Sequence, residues 1–138
     1  IKVHPATPAA VFENIQRRFA KAQIIFKGRL EDLFSKAFVV ISNSSGGALE
    51  AISRGIPSLV VLSQTQLSYC PVPPSVDSRI WRLCSSPEEL ANGIEHFSRL
   101  GMEQRQELQK LGQEVLGHYF SPSDSKALKD FSERLQKF

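Results

Sequence analysis

Two short apolar runs, Ala37–Ile41 and Ser58–Leu62, constrain the fold of this chain more than any other feature. Both fall far below the roughly 18 residues a membrane-spanning helix requires. They have the length of interior strands. A strand that is apolar on both faces has no side to give to water, so it needs cover above and below. Parallel sheets packed between helices meet that need.

The remainder of the chain supplies helices at the right intervals. Ile1–His4 reads as a first short strand. Thr7-Pro8 then reads as a helix start, with Thr as N-cap and Pro in the first turn. That helix is expected to run to about Ala22, burying Val11, Ile15 and Phe19, which recur every four residues. Gln23–Lys27 reads as a second strand, followed by a turn at Gly28 and a short helix carrying Leu30, Leu33, Phe34 and Ala37. Phe38–Ser42 is the third strand. The loop Asn43–Gly46 leads into a helix over Gly47–Arg54, with Gly55 suited to its C-terminal turn. Ile56–Ser63 is the fourth strand.

Gln64–Asp77 breaks this rhythm. It has three prolines and no periodicity, and long loops in compact domains are often functional. Arg79–Cys84 reads as a short fifth strand. Ser86-Pro87-Glu88-Glu89 is a capping box ahead of the stripe Leu90, Ile94 and Phe97. A further helix over Glu103–His118 should bury Leu108, Leu111 and Val115. Ser121-Pro122 begins a last helix, on which Leu128, Phe131, Leu135 and Phe138 recur at heptad-like spacing. The expectation is an α/β fold: a Rossmann-like parallel sheet flanked by helices, with a helical C-terminal tail.

The 138 residues suit one domain, and 41% hydrophobic with 22% charged residues is ordinary globular composition. The 17 basic and 14 acidic residues leave a net charge of +3. They are interleaved rather than gathered in a stripe, so nucleic acid is not an expected partner and a solvated surface accounts for them. Two cysteines are too few for a disulfide framework or a four-cysteine zinc site, which makes a reducing, cytoplasmic setting the expectation. The sole methionine is Met102 and the chain opens inside a strand-like segment. It reads as a piece of a larger, two-domain protein.

In open parallel sheets, ligands bind where strand carboxyl ends enter loops. Three such loops carry chemistry. After the third strand come Ser44, Ser45, Gly46 and Gly47. Small residues there let backbone amides approach a phosphate at a helix start, and Glu50 lies one turn further on, placed to accept from a ribose diol. Taken alone, such a loop is a helix cap and a tight turn. Glu50, the turn Gly55-Ile56-Pro57 and the following buried strand favour a nucleotide site. After the first strand, Pro5 holds His4 extended, aiming an imidazole at the same rim as a phosphate ligand or acid. After the second strand, Arg29 can reach a diphosphate and the backbone at Leu30 can read a base edge. The Gly-x-Gly-x-x-Gly fingerprint, the phosphate-loop Gly-Lys-Ser/Thr and the Gly-x-Ser-x-Gly elbow are missing. His96, His118, Cys70 and Cys84 have no partners at metal spacing. No metal and no cofactor is expected.

Gly28-Arg29-Leu30-Glu31-Asp32-Leu33-Phe34, Phe38-Val39-Val40-Ile41-Ser42, Gly46-Gly47-Ala48-Leu49-Glu50-Ala51 and Gly55-Ile56-Pro57 together resemble the C-terminal, donor-binding domain of GT-B glycosyltransferases. The resemblance covers roughly residues 1–63. It implies a nucleotide-sugar donor held by Ser44, Ser45, Gly46 and Gly47 at its phosphates, by Glu50 at its ribose, and by Arg29 and Leu30 at its base and diphosphate. His4-Pro5 with Ser44-Ser45 is similar to the His-Pro and Ser-Ser motifs of bacterial sialyltransferases and capsule Kdo transferases, where both contact the CMP phosphate. That makes His4 the candidate catalytic residue. Ser42 stands where many retaining members carry a second glutamate, which argues against that subclass. The resemblance further implies an N-terminal acceptor-binding domain outside this chain, which keeps the catalytic base, and a role in surface polysaccharide biosynthesis, in the cytoplasm or peripheral to the inner membrane. Two alternatives remain. Ser45-Gly46-Gly47 with Glu50 is also similar to the phosphate loop of non-hydrolysing UDP-N-acetylglucosamine 2-epimerases. A non-catalytic Rossmann-like interaction module would use the Pro-rich loop and the last helix instead.

Overall fold

A computed structural model divides the chain into two compact units, Ile1–Ala37 and Phe38–Phe138. The described residues are 1–4, 7, 8, 10–63, 65, 67–120, 126, 129, 132 and 133, with side chains at all of them except 11, 13 and 14. The last helix expected from Ser121-Pro122, with its stripe, lies outside the described residues apart from isolated positions, as does Pro5.

In the first unit, the segments read as two strands meet at a single parallel bridge, Lys2 with Ile25. The Val3 amide donates to the Ile25 carbonyl (3.0 Å) and the Ile25 amide to the Ile1 carbonyl (2.8 Å). The pairing goes no further because little around it is enclosed: Val3 is buried, but Phe26 and Lys27 are exposed. Helix α1 spans Ala10–Arg18 and stops a turn short of the expected Ala22. Arg17 and Arg18 close it, the charge sign that a helix carboxyl end favours. Phe19, expected in the core, is 57% exposed, so no burial holds a further turn. Ile15 is half-buried, and the Val11 side chain lies outside the described set. Gly28 turns the chain at φ +98°, a conformation that costs a residue with a Cβ. The short helix α2, Glu31–Phe34, follows and buries Phe34.

The second unit holds a three-stranded parallel sheet flanked by helices, the Rossmann-like α/β arrangement the sequence implies. Strands β1 (Val40–Ser42), β2 (Ser58–Val61) and β3 (Trp81–Cys84) lie in that order. Val40 pairs with Ser58, and Ser58 with Trp81. Each strand is shorter than the segment the sequence implies for it. β2 is central, and its side chains alternate between two cores. Val60 joins Ala48, Ile52, Val72, Val76, Ile80, Leu108, Leu111 and Val115 on one face. Leu59 joins Cys84 and Phe97 on the other, with Val61, Leu90 and Ile94 packed against them. β1 lies at the sheet's edge within this unit, and Ile41 is 50% exposed, not covered on both faces as its run suggested.

Helix α3 (Gly47–Ile52) connects β1 to β2, and α4 (Pro87–Ser98) covers the opposite face. The Ser86 hydroxyl caps α4 by accepting from the Glu89 amide (3.1 Å), while the Glu89 carboxylate accepts from the Ser85 amide (2.6 Å). The expected box therefore forms, with its return bond shifted one residue outward. Helix α5 (Met102–Tyr119) buries Leu108, Leu111 and Val115, as its periodicity implied.

Parallel strands need a long crossover, usually a helix. Between β2 and β3 that crossover is the irregular Pro-rich segment 62–80. It is a packing element more than an open loop: Val72, Val76 and Ile80 are 4%, 5% and 0% exposed in the α3–α5 core. Polar clasps tie its end. Arg79 pairs with Asp77 (2.8 Å) and with Glu107 of α5, the Trp81 indole donates to the Val76 carbonyl (3.0 Å), and the Ser75 and Tyr119 hydroxyls bond. Arg79 holds the Asp77 carboxyl below its ordinary pKa, chiefly through the side-chain hydrogen bond.

The turn after α3 is built on Gly55, at φ +74°, with α5 lying directly on it. A Cβ at Gly112 would stand 2.4 Å from the Gly55 nitrogen. Two facing glycines thus let helix and turn touch backbone to backbone.

Candidate functional site

Ser42 ends β1, and α3 begins at Gly47. The four residues between them stand at the carboxyl edge of the sheet, where the parallel strands point. Ser44 holds φ +39°, a left-handed conformation that costs a non-glycine residue on the order of 1 kcal/mol. Its hydroxyl compensates by joining the crossover. It accepts from the Tyr69 amide (2.9 Å) and donates to the Tyr69 carbonyl (3.0 Å). The Ser45 hydroxyl accepts from the Gly47 amide (3.3 Å), and the Ser45 carbonyl accepts from Ala48 (3.1 Å) and, weakly, from the Ser42 hydroxyl (3.4 Å). The Ser45 and Gly46 amides have no partner among the described residues, and both residues are exposed.

Glu50 is half-buried in the first turn of α3. Its carboxylate lies 3.8 Å from the Arg54 guanidinium, one turn on. At that separation and exposure the pair contributes little to stability, so the carboxylate can be redirected at small cost. α3 is only six residues long. An anion at its start would therefore be held by individual amides and hydroxyls more than by a helix dipole.

The structure thus gathers Ser44, Ser45, Gly46, Gly47 and Glu50 at one edge of the second unit. His4, Arg29 and Leu30 belong to the first. His4 is exposed, and its carbonyl accepts from the Thr7 amide (2.9 Å). Arg29 is exposed and paired with Glu31. Leu30 is half-buried at the start of α2, its carbonyl accepting from Leu33 (3.0 Å). Sequence reasoning missed Tyr69, which fixes Ser44 from 25 positions away. No local pattern marks such a contact. It also missed Arg54, which the i,i+4 spacing from Glu50 could have signalled.

A cleft of about 440 Å³ lies at the opposite edge of the sheet, where the chain enters β3. Its floor of Val76, Ile80, Leu111 and Val115 is already buried, leaving little apolar surface for a ligand to cover. Every buried polar side-chain atom among the described residues has a partner. Among those residues no group of three or more His, Cys, Asp or Glu could hold a metal ion, and no helix is long and apolar enough to cross a membrane. Comparison with protein-family models, with curated proteins and with solved structures returned no match.

Proposed function

We propose that the chain is the donor-binding half of a glycosyltransferase, holding a CMP- or UDP-linked sugar for transfer in surface polysaccharide biosynthesis. One observation carries this reading. The loop Asn43–Gly46 stands at the carboxyl edge of a Rossmann-like sheet with two exposed residues, Ser45 and Gly46, whose amides have no partner among the described residues, and a carboxylate lies one turn beyond it. Ligands of open parallel sheets sit at that edge. The motif resemblance around Gly28–Phe34, Gly46–Ala51 and Gly55–Pro57 supports the same reading from the sequence.

The mechanism is binding and electrostatics. The Ser45 and Gly46 amides and the Ser45 hydroxyl would meet the donor phosphate, and Glu50 would accept from the ribose hydroxyls on exchanging Arg54 for them. By the motif resemblance, His4, Arg29 and Leu30 of the first unit are further candidates for donor binding, with His4 as candidate acid or phosphate ligand. As the sugar departs, negative charge grows on the nucleotide phosphate, and donors already in place stabilise it without reorganising. One such donor is typically worth about 3 kcal/mol of barrier. A partner domain would supply the acceptor site and the base, leaving this chain inactive alone.

Calorimetric titration with CMP, UDP, CDP and GDP tests the reading. A pyrimidine nucleotide should bind at millimolar concentration or below, and Glu50→Ala should abolish that binding while leaving the fold intact. A folded chain that binds none of the four at millimolar concentration refutes it.

A further inference from the structure

We infer that the cleft at the amino edge of the second unit's sheet binds a methylated ammonium group, of the kind choline carries. The cleft lies between the end of the crossover and the last turns of α5. Its volume of about 440 Å³ falls in the range of ligand pockets. The floor is already buried, so recognition falls to the rim.

Two features of the rim suit such a cation. The first is a corner of two rings. The His118 imidazole and the Tyr119 phenol stand at 80° to one another, with centres 4.6 Å apart. The Tyr119 hydroxyl is tied to Ser75 of the crossover, which fixes that ring. Perpendicular rings form a recess in which a cation meets aromatic faces. The second feature is charge. Asp77 reaches the rim from the crossover and Glu114 from α5, one turn before His118. Among the described residues no lysine or arginine lines the cleft. Arg79 pairs with Asp77 but is shared with Glu107, and Glu114 has no ion pair among the described residues. The rim is therefore negative in a chain whose net charge is +3.

A primary ammonium carries three donors that water serves well, and an open rim gives it little reason to leave water. A methylated ammonium donates no hydrogen bond. It gains instead from ring faces and from negative charge nearby. The cleft and the Asn43–Gly46 loop lie at opposite edges of the sheet, so this site does not rest on the nucleotide reading and either can fail alone.

The test is a titration of the whole chain with choline at constant ionic strength, followed by calorimetry and by the ring-proton signals of the three histidines. Choline at millimolar concentration should move the His118 signals and leave those of His4 and His96. Ethanolamine, with the same chain on a primary ammonium, should bind more weakly. Dimethylbutanol, the neutral carbon analogue of choline, should bind about tenfold more weakly. Glu114→Gln should weaken choline binding about fivefold and His118→Ala about threefold. Both side chains are exposed, so circular dichroism should match the parent. A folded chain whose His118 signals ignore choline would overturn the assignment. So would equal binding of ethanolamine or of the neutral analogue, or choline binding untouched by both substitutions.

Discussion

α5 carries two interior glycines that local reasoning treats alike, and the structure predicts opposite outcomes for replacing them. Gly→Ala within a helix gains about 1 kcal/mol from propensity at either position. Gly117 has nothing within 4 Å of an added Cβ. Gly117→Ala should therefore stabilise, by up to about 1 kcal/mol. At Gly112 the new Cβ would lie 2.4 Å from the Gly55 nitrogen, 2.7 Å from the Ile52 carbonyl oxygen and 2.8 Å from Gly55 Cα. All three are backbone atoms, and the turn that carries them is fixed by the positive φ of Gly55. No rotamer change can relieve the clash. Ordinary contact begins near 3.4 Å, so α5 must retreat by about 1 Å and loosen Leu108, Leu111 and Val115 together. Overpacking of this kind costs about 1–3 kcal/mol, and rigid backbone neighbours place it at the upper end. Subtracting the propensity gain leaves Gly112→Ala destabilised by about 2 kcal/mol. The two variants should then differ by about 3 kcal/mol. Urea unfolding followed by circular dichroism reads this as a fall in midpoint for one and a rise for the other, at unchanged slope. Equal midpoints would mean that the backbone contact between α5 and the Gly55 turn does not exist.

Two further outcomes follow from the second unit. Cys84 is 1% exposed and its thiol pKa is raised by burial, with Glu89 adding to the effect, whereas Cys70 is half-buried in the crossover. A thiol reagent should therefore modify Cys70 in the native chain and reach Cys84 only on unfolding, and rapid labelling of both would contradict the packing against Phe97. Arg79 holds the Asp77 carboxyl below its ordinary pKa in the folded chain. The stability this contributes is present above about pH 4 and is lost as pH falls through the lower, folded value. Asp77→Asn should flatten the acid limb of a stability-against-pH curve below about pH 4, by a small amount that salt reduces further, because the pair is exposed. An unchanged limb would show that the clasp contributes nothing.

Local pattern was sufficient wherever a single element decides its own form. Ser86-Pro87 and the stripe ending in Phe97 specify α4 because cap and apolar spacing act within one helix, and Leu108, Leu111 and Val115 specify α5 for the same reason. The Ser58–Leu62 run implies a strand covered on both faces, and β2 is one, because its Leu59 and Val60 must each find apolar neighbours on their own face. Gly55 could be read as a helix terminator, and the loop from Ser44 to Gly47 with Glu50 as one group, because these residues are close in sequence.

What the sequence could not decide depends on residues far apart in the chain. The span of the Pro-rich segment gives no hint that Val72 and Val76 take the place of a crossover helix. Nor does it hint that Tyr69 holds the Ser44 hydroxyl. Phe19 shares the spacing of a buried stripe, yet burial depends on what faces a position, and Phe19 is left more than half exposed. Periodicity states which side chains need cover. Only the tertiary structure decides which of them receive it, since the contacts that exclude water come from elsewhere in the chain.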